Sequence, residues 1–263
     1  MRPTTGKRLV TGLARFTSAV LCAAVVAIGA AAAEEPFTPE KARAIEKIVR
    51  EYILKNPEII IEAARILRAR EETAARNQTR RTILARRDEL FNDPASPVGG
   101  NPQGDVTLVE FFDYRCPYCK RVLPSIQALL AEDRNLRYVF KEFPILGKAS
   151  VFAARAALAA HRQGKYLEFH MAVMPAKGKL TEARVMRLAK TAGLDVDRLR
   201  LDMADGTIDD SIRRNLELAR ALDVNGTPAF VIGDTVVPGA VDIDTLRSLI
   251  ARERQIGNRG ENQ

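Results

Sequence analysis

The two cysteines of the run Cys116-Pro117-Tyr118-Cys119 are the residues whose type and spacing most clearly suggest chemistry. The apolar run 106–112 before them is typical of a buried strand, and the apolar residues after them recur at helical spacing. Cys116 therefore stands where a helix begins, and Pro117 suits the first helical position. Because a helix start favours negative charge, we expect Cys116 to be a thiolate with a partner thiol one turn away. This arrangement predicts thiol–disulfide exchange.

Within that chemistry, Cys116 is expected to attack and Cys119, one turn inside the helix, to resolve the product. A zinc site is not expected, because the only histidines, His161 and His170, lie in a predicted helical region and a closed tetrahedral site lacks ligands. The redox-active pair Cys116–Cys119 needs no other cofactor. A third interpretation remains, in which both thiolates bind Cu(I) as soft ligands.

Glu110 is the second informative residue because it interrupts an otherwise apolar strand. If its carboxyl is buried, its pKa should be raised, and it could exchange protons with Cys119 through water. The alternative is a glutamate at the surface end of the strand. The third feature is the run 226–230, where Thr227-Pro228 precedes a predicted strand and indicates a loop with room for another backbone. Position alone does not make that proline cis.

Residues 1–33 have the composition of a targeting segment. A basic opening precedes an apolar stretch, and Ala31-Ala32-Ala33 supplies the small residues that a signal peptidase requires. We therefore expect a signal peptide that is cleaved after Ala33, with a retained membrane anchor as the alternative. A lipoprotein site at Cys22 is disfavoured by the bulky Leu21. Cleavage would leave only Cys116 and Cys119, which is too few for a disulfide framework and points to a redox pair.

The charge of the chain excludes one class of partner. The formal net charge is +8, but removing residues 1–33, which contain four bases and no acid, leaves 37 basic against 33 acidic residues. A nucleic-acid-binding protein would be expected to carry a dense basic patch. We expect no nucleic-acid partner.

Residues 34–92 are predicted to form a helical segment and linker. Thr38-Pro39-Glu40 and Asn56-Pro57-Glu58 each resemble a helix start, and both helices carry an apolar stripe. From Arg68 to Thr82 the helical pattern is polar almost all round, which indicates a solvated helix or a mobile connector. The stripes either pack on the following domain or pair with copies of themselves.

The rest of the chain alternates strand and helix patterns around a helical block. Strands are predicted at 106–112, 137–143, 229–232 and 235–237, a final helix at 242–254, and helices at 151–162, 165–173, 182–191, 196–203 and 208–221. Together these describe a small sheet with a helical insertion. We place a sheet domain at 93–147 plus 222–256, the inserted helical domain at 148–221 and a disordered tail at 257–263.

These motifs resemble the DsbA-like branch of the thioredoxin superfamily. Glu-Phe-Phe-Asp-Tyr-Arg-Cys-Pro-Tyr-Cys-Lys at 110–120 is similar to its catalytic strand and helix start, and Gly-Thr-Pro at 226–228 to its cis-proline loop. The resemblance covers about 93–256 and implies an α/β thioredoxin fold with an inserted helical domain. It also implies that Cys116 attacks the substrate, Cys119 resolves and Glu110 tunes proton transfer. Thr227 and Pro228 would hold the substrate strand, with Pro117 and Tyr118 beside it.

The N-terminal segment narrows the resemblance. Residues 48–58 and Lys-Glu-Phe-Pro-Ile-Leu-Gly at 141–147 are similar to the suppressor-of-copper-sensitivity protein C (ScsC) group. In members with this extension, the segment can trimerise the protein, and such oligomers tend to act as disulfide isomerases, whereas monomeric relatives act as oxidases. The resemblance therefore implies a homotrimer that works on misoxidised or unfolded periplasmic proteins and is reset by a membrane thiol reductase or oxidase. A monomeric dithiol oxidase and a copper(I)-handling protein remain alternatives.

Overall fold

A computed structural model describes residues 38–260 of the chain. The expected signal peptide, residues 1–33, lies outside the described residues. The chain divides into two compact units, the first ending at Glu62 and the second beginning at Ala63. No helix among residues 38–260 combines the length and apolarity needed to cross a membrane.

The first unit contains helix α1, Pro39–Lys55, and the start of α2, Glu58–Ala85. The Thr38 hydroxyl caps α1 by accepting the Lys41 N–H at 3.4 Å, which confirms the start predicted there. No residue of α1 is buried, and most of its large apolar side chains lie exposed, whereas Ile53 is half-buried. Helix α2 runs without a break through residues 68–82, so this polar stretch is a solvated helix.

The second unit is a five-stranded sheet flanked by helices. After α3, Arg87–Phe91, the chain forms β1 (Val98–Gly100), β2 (Val106–Phe112), α4 (Pro117–Glu132) and β3 (Leu136–Glu142). Five helices follow, namely α5 (Lys148–Arg162), α6 (Tyr166–Val173), α7 (Glu182–Thr191), α8 (Val196–Met203) and α9 (Gly206–Ala221). The chain then returns through β4 (Ala229–Ile232), β5 (Thr235–Pro238) and α10 (Ile243–Gly260).

The strand order is β1-β3-β2-β4-β5, with β2 and β3 parallel and every other pair antiparallel. Because side chains alternate along a strand, β2 supplies both faces of the sheet. Leu108 and Phe112 face a core shared with α4 and the inserted helices, whereas Val109 and Phe111 face a second core. The central strand β2 is therefore packed on both faces, and its C-terminal end leads directly to the turn before the cysteines.

Three boundaries differ from the sequence prediction. The first unit ends at Glu62 instead of near residue 92, because Ile83, Leu90 and Phe91 pack into the second core of the sheet. The edge strand β1 is not among the predicted strands; it contains Gly99 and Gly100, and a Cβ on Gly100 would lie 2.4 Å from the carbonyl oxygen of Leu136. The last helix extends to Gly260, so residues 257–260 of the expected tail are helical.

Candidate active site

Cys116 lies directly at the N-terminus of α4, as its N-cap residue, and Pro117 occupies the first turn. The turn that joins β2 to this helix is held by Asp113, which is buried. The carboxylate of Asp113 accepts the backbone N–H of Arg115 at 2.7 Å and that of Leu146 at 2.9 Å. These two bonds fix the short loop before Cys116. The sulfur is thereby placed at the helix end, where backbone N–H groups are unpaired.

The loop at Thr227 meets Cys116 from the other side. The Cys116 thiol donates a hydrogen bond to the carbonyl oxygen of Thr227 at 3.1 Å, and the Thr227–Pro228 peptide bond is cis. Pro228 is buried and its carbonyl accepts the N–H of Gly239 at 2.9 Å, which anchors the loop to the end of β5. Two segments more than a hundred residues apart, predicted separately from the sequence, thus share one site.

Pro117 and Tyr118 form the outer surface of the site. Both side chains are exposed, and Tyr118 retains 52% of its accessible surface. The guanidinium carbon of Arg121 lies 5.0 Å from the centre of the Tyr118 ring, a cation–π distance. An approaching polypeptide would therefore contact Tyr118 before it reaches Cys116, which is only 3% exposed.

Cys119 is the inner member of the pair. It is 2% exposed, and both it and Cys116 are free thiols. Burial, followed by the nearby charge of Glu110, raises the pKa of the Cys119 thiol far above its ordinary value. Cys119 is therefore a protonated thiol at neutral pH, and it can act as a nucleophile only after a neighbouring group takes its proton.

Glu110 lies within β2, between Phe140 of β3 and Phe230 of β4. The alternative of a surface position is wrong, because the residue is only 4% exposed. Burial raises the pKa of Glu110 to about 7, while a hydrogen bond from the Tyr138 hydroxyl opposes the shift. A carboxyl with this pKa is divided between its two protonation states at neutral pH. Tyr138 was not predicted from the sequence; its place on the same sheet face, two residues before Phe140, is the signal that could have indicated it.

A buried polar network lies beyond the pair, where β3 meets the inserted helices. One carboxylate oxygen of Glu142 accepts the hydroxyl of Tyr166 at 2.7 Å and that of Tyr114 at 3.3 Å. The Tyr114 hydroxyl also lies 3.2 Å from Nδ1 of His170. Burial raises the pKa of Glu142 well above its ordinary value and lowers that of His170 to about 3. No local pattern in the sequence indicates this network, because its members come from β3, from α6 and from the turn before Cys116.

A cleft of about 680 Å³ opens beside the Thr227 loop. Its walls are residues 75–80 of α2, the loop 222–229 and the strand β5. Among the described residues, no group of three or more histidine, cysteine or acidic side chains is placed to hold a metal ion. The two thiols of the C-x-x-C pair are the soft donors of the site.

Comparisons with known proteins agree with this geometry. The DsbA-like thioredoxin domain matches residues 107–251, more than half of the chain, and the copper resistance protein ScsC N-terminal domain matches residues 42–74. A thioredoxin-like oxidoreductase from Silicibacter pomeroyi is 51% identical, with a TM-score of 0.63 over 64% of this chain and 98% of its own. Proteus mirabilis ScsC in a transitional conformation is 31% identical, with a TM-score of 0.62 over 83% of this chain and 99% of its own.

The first curated relatives are much longer than the matched region. A Na(+)/H(+) antiporter NhaA 3 from Salinispora tropica is 32% identical over 155 residues, which span 58% of this chain and 24% of that protein. The chain therefore covers about a quarter of such relatives. The family match, the thioredoxin-like sheet and the C-x-x-C helix start agree with one another. This chain belongs to the DsbA-like thioredoxin family of thiol–disulfide oxidoreductases, and it carries an N-terminal segment of the ScsC type.

Proposed function

We propose that this protein is a periplasmic disulfide isomerase that acts on misoxidised exported proteins through Cys116 and Cys119. The observation that carries the proposal is the contact of 3.1 Å between the Cys116 sulfur and the Thr227 carbonyl. In this contact the sulfur of Cys116, at the start of a helix, lies against the backbone of the Thr227 loop. A substrate strand would lie beside that loop. In this proposal, Thr227 and Pro228 hold that strand, while Pro117 and Tyr118 contact it from the helix side.

The exchange begins with the thiolate of Cys116 and a disulfide of the substrate. The thiolate attacks one substrate sulfur, a new S–S bond forms to Cys116, and the other substrate sulfur leaves as a thiolate. During isomerisation, a different substrate thiolate then attacks the mixed disulfide and returns Cys116 unchanged, so no net electrons move. If the intermediate stalls, Cys119 attacks the Cys116 sulfur and releases the substrate in reduced form.

We propose that Glu110 assists the second route, in which Cys119 attacks the mixed disulfide. Cys119 must lose its proton to attack, and its raised pKa opposes that loss. Glu110, with a pKa near 7, can take the proton at neutral pH and return it in the reverse reaction, through an intervening water. Tyr138 holds the carboxyl in place through its hydrogen bond.

Isomerisation is favoured over oxidation by the N-terminal segment. Residues 42–74 match the ScsC N-terminal domain, and the apolar side chains of α1 are exposed within their own unit. We infer that these stripes assemble a homotrimer, so that several reduced sites can act on one substrate. A membrane thiol reductase would keep the pair reduced, whereas a monomeric dithiol oxidase would need a membrane oxidase. Export through residues 1–33 would place the protein in the periplasm.

The test is the recovery of a scrambled substrate. Reduced protein should restore activity to a misoxidised secreted enzyme faster than glutathione buffer alone. Cys116→Ser should remove that gain completely, while Cys119→Ser should retain part of it and accumulate mixed disulfides. An oxidase would instead accelerate disulfide formation in a reduced substrate and leave scrambled substrate unrepaired. That second pattern would overturn the isomerase proposal and leave thiol–disulfide exchange standing.

A second candidate function is Cu(I) handling, which the ScsC-type segment and the two free thiols favour. Cu(I) would bind between the sulfurs of Cys116 and Cys119, with both thiols deprotonated. Competition with a Cu(I) chelator measures this binding. The candidate predicts one bound Cu(I) for each chain and its loss in either Cys116→Ser or Cys119→Ser; binding that survives either substitution rules it out.

A further inference from the structure

The surface around Cys116 combines an apolar centre with positive charge. Tyr118 and Leu146 are 52% and 40% exposed, respectively. Arg115 precedes the first cysteine, and its guanidinium donates to the carbonyl oxygen of Leu146. Arg121 lies over the Tyr118 ring. Two cations are therefore held against the apolar side chains that a captured polypeptide would meet first.

Further cations lie on the inserted helical domain, which Lys120 of α4 connects to the site. Lys120 follows Cys119, and its Nζ donates to the carbonyl oxygens of Met174 at 2.6 Å and Ala176 at 3.0 Å. These bonds hold the segment 174–180 beside the first turn of α4. Arg184 lies beside the same segment, because its guanidinium donates to the carbonyl oxygens of Lys177 and Lys179.

The tied segment presents further positive charge to solvent. Lys177 and Lys179 are exposed, and Arg184 donates to the carbonyl oxygen of Lys177. Neither 115–121 nor 174–180 contains an acidic residue. We call Arg115, Arg121, Lys177, Lys179 and Arg184 the cationic rim.

The acidic residues nearest to the rim along the chain are Asp113 and Glu182. Asp113 is 1% exposed, and its carboxylate accepts two backbone N–H groups. Glu182 lines a separate cavity together with Phe152 and Arg155. Within the described part of the chain, neither carboxylate forms an ion pair with a residue of the rim, so the charge of the rim remains available to a partner.

We propose that the cationic rim makes the site selective for polypeptides with acidic side chains within a few residues of the reacting cysteine. The inference rests on the proposed exchange reaction and names its substrate class. A polypeptide whose sulfur reaches Cys116 must cross the apolar centre, so its neighbouring side chains lie over the rim. Opposite charges there accelerate encounter and stabilise the mixed disulfide, and the effect weakens as salt screens the charges.

The test uses three peptides of equal length, each with one cysteine as its 2-pyridyl disulfide, flanked by glutamate, serine or lysine. The thiolate of Cys116 attacks the peptide sulfur, the peptide–pyridyl S–S bond breaks, and pyridine-2-thione leaves with the bonding electron pair and can be followed by its absorbance. At low salt, reduced wild-type protein should react about tenfold faster with the glutamate peptide than with the lysine peptide. In 0.5 M salt, at a Debye length of a few ångströms, that ratio should approach one.

Matched charge reversals locate the effect. Lys177→Glu should lower the ratio several-fold, and adding Lys179→Glu should bring it to one or below. Arg134→Glu makes the same charge change as Lys177→Glu at an exposed position beyond the C-terminal end of α4. That end lies about 24 Å from the N-terminal end at Cys116, because α4 has 16 residues. It should leave the ratio unchanged.

The outcomes separate this inference from the proposed reaction. A wild-type ratio near one, or equal effects of Lys177→Glu and Arg134→Glu, overturns rim selectivity. A small uncharged pyridyl disulfide reports the chemistry alone, and it should react at similar rates with all variants. If it fails to react with the wild-type protein, the exchange reaction itself is wrong.

Discussion

The two thiols of one motif occupy different surroundings, and this difference supports the order of action proposed for them. Cys116 caps the helix and touches the Thr227 carbonyl, at the edge of the exposed surface formed by Pro117 and Tyr118. Cys119 is enclosed by the core, next to a buried carboxyl. These surroundings support the proposal that Cys116 meets the substrate and that Cys119 acts after it.

Selective alkylation should show this order. With limiting iodoacetamide at pH 7, reduced protein should be modified at Cys116 at least about a hundredfold faster than at Cys119, because burial holds Cys119 as the thiol. Peptide mapping by mass spectrometry measures both sites. The Cys116→Ser variant is the control, and it should be alkylated slowly until denaturant is added. Rapid modification of Cys119 in that folded variant would contradict the assignment.

The protonation of Glu110 should make the free energy of unfolding depend on pH. Its pKa rises from 4.5 in an exposed chain to about 7 in the folded protein, so the folded state binds more protons between these values. Stability from this group therefore decreases as the pH rises from about 4.5 to about 7. The full effect is about 3 kcal/mol.

Glu110→Gln should remove that dependence. At pH 8 the variant should be more stable than the wild type by up to about 3 kcal/mol, whereas at pH 4.5 the two should be similar. Urea unfolding at both pH values measures this difference, and resolution of a mixed disulfide by Cys119 should be slower in the same variant. Tyr138→Phe is the companion change. It removes the hydrogen bond that lowers the pKa of Glu110, so that pKa should rise further. A wild-type and a Glu110→Gln protein with parallel pH profiles would contradict a buried titrating carboxyl.

At the level of elements, the inserted helices are joined to the sheet by polar bonds as well as by apolar packing. Glu142 ends β3, Tyr166 begins α6 and Tyr114 belongs to the turn before Cys116. His170, on α6, packs against the rings of Phe112 and Phe140. The inserted helices therefore help to position the loop that carries the first cysteine. We expect acid to weaken the contacts at this junction.

His170 provides the test of that junction. Its pKa is about 3 in the folded protein and 6.5 in an exposed chain, so the unfolded state binds more protons between these values. Stability from this group is therefore complete above pH 6.5 and is lost as the pH falls toward 3. By pH 4, the wild type should lose about 3 kcal/mol more than His170→Phe, measured by urea unfolding at pH 7, 5 and 4.

The matched control is the other histidine of the insertion. His161 is only partly buried, and that burial lowers its pKa. His161→Phe should therefore change the acid profile less than His170→Phe does. Equal profiles for the two variants would show that the acid sensitivity arises elsewhere.

The element boundaries show what the sequence could predict. Strands β2 and β4 and helices α7 and α8 have their predicted ends, because apolar periodicity and glycine or proline stops are local signals. The edge strand β1 was missed because consecutive glycines are typical of a turn or loop. Here glycine is required because a Cβ on Gly100 would collide with the neighbouring strand, a contact that only the structure shows. The contacts of Glu142 with Tyr114 and Tyr166 depend on tertiary packing, for which a single sequence carries no local signal.

The same distinction holds for the candidate site. The cysteines, Glu110 and the proline loop were predictable because each interrupts or begins an element in a chemically unusual way. The hydroxyl of Tyr138 and the bonds from Lys120 to residues 174 and 176 were not, because an aromatic strand residue and a surface lysine are unremarkable in sequence. The cis state of the Thr227–Pro228 bond likewise required the structure.

At the scale of the whole molecule, the proposed choice of isomerisation over oxidation depends on the N-terminal unit. Ile45, Ile48, Val49 and Tyr52 of α1 are 45 to 66% exposed and form one stripe at helical spacing. A stripe of this kind is costly to leave in water, at roughly 25 cal/mol for each Å² of apolar surface. Pairing it with copies of itself would remove that cost and bring several active sites together.

Ile48→Glu combined with Tyr52→Glu should therefore separate assembly from chemistry. Wild-type protein should scatter light with the mass of three chains, and the double variant with the mass of one, because two charges on the stripe oppose its burial. The variant should keep wild-type reactivity toward a small disulfide but lose most of its gain with scrambled substrate. Arg50→Glu, which adds the same charge away from the stripe, should remain trimeric. A wild-type protein that is monomeric at micromolar concentration would remove the reason for preferring isomerisation, and the dithiol oxidase would become the better proposal.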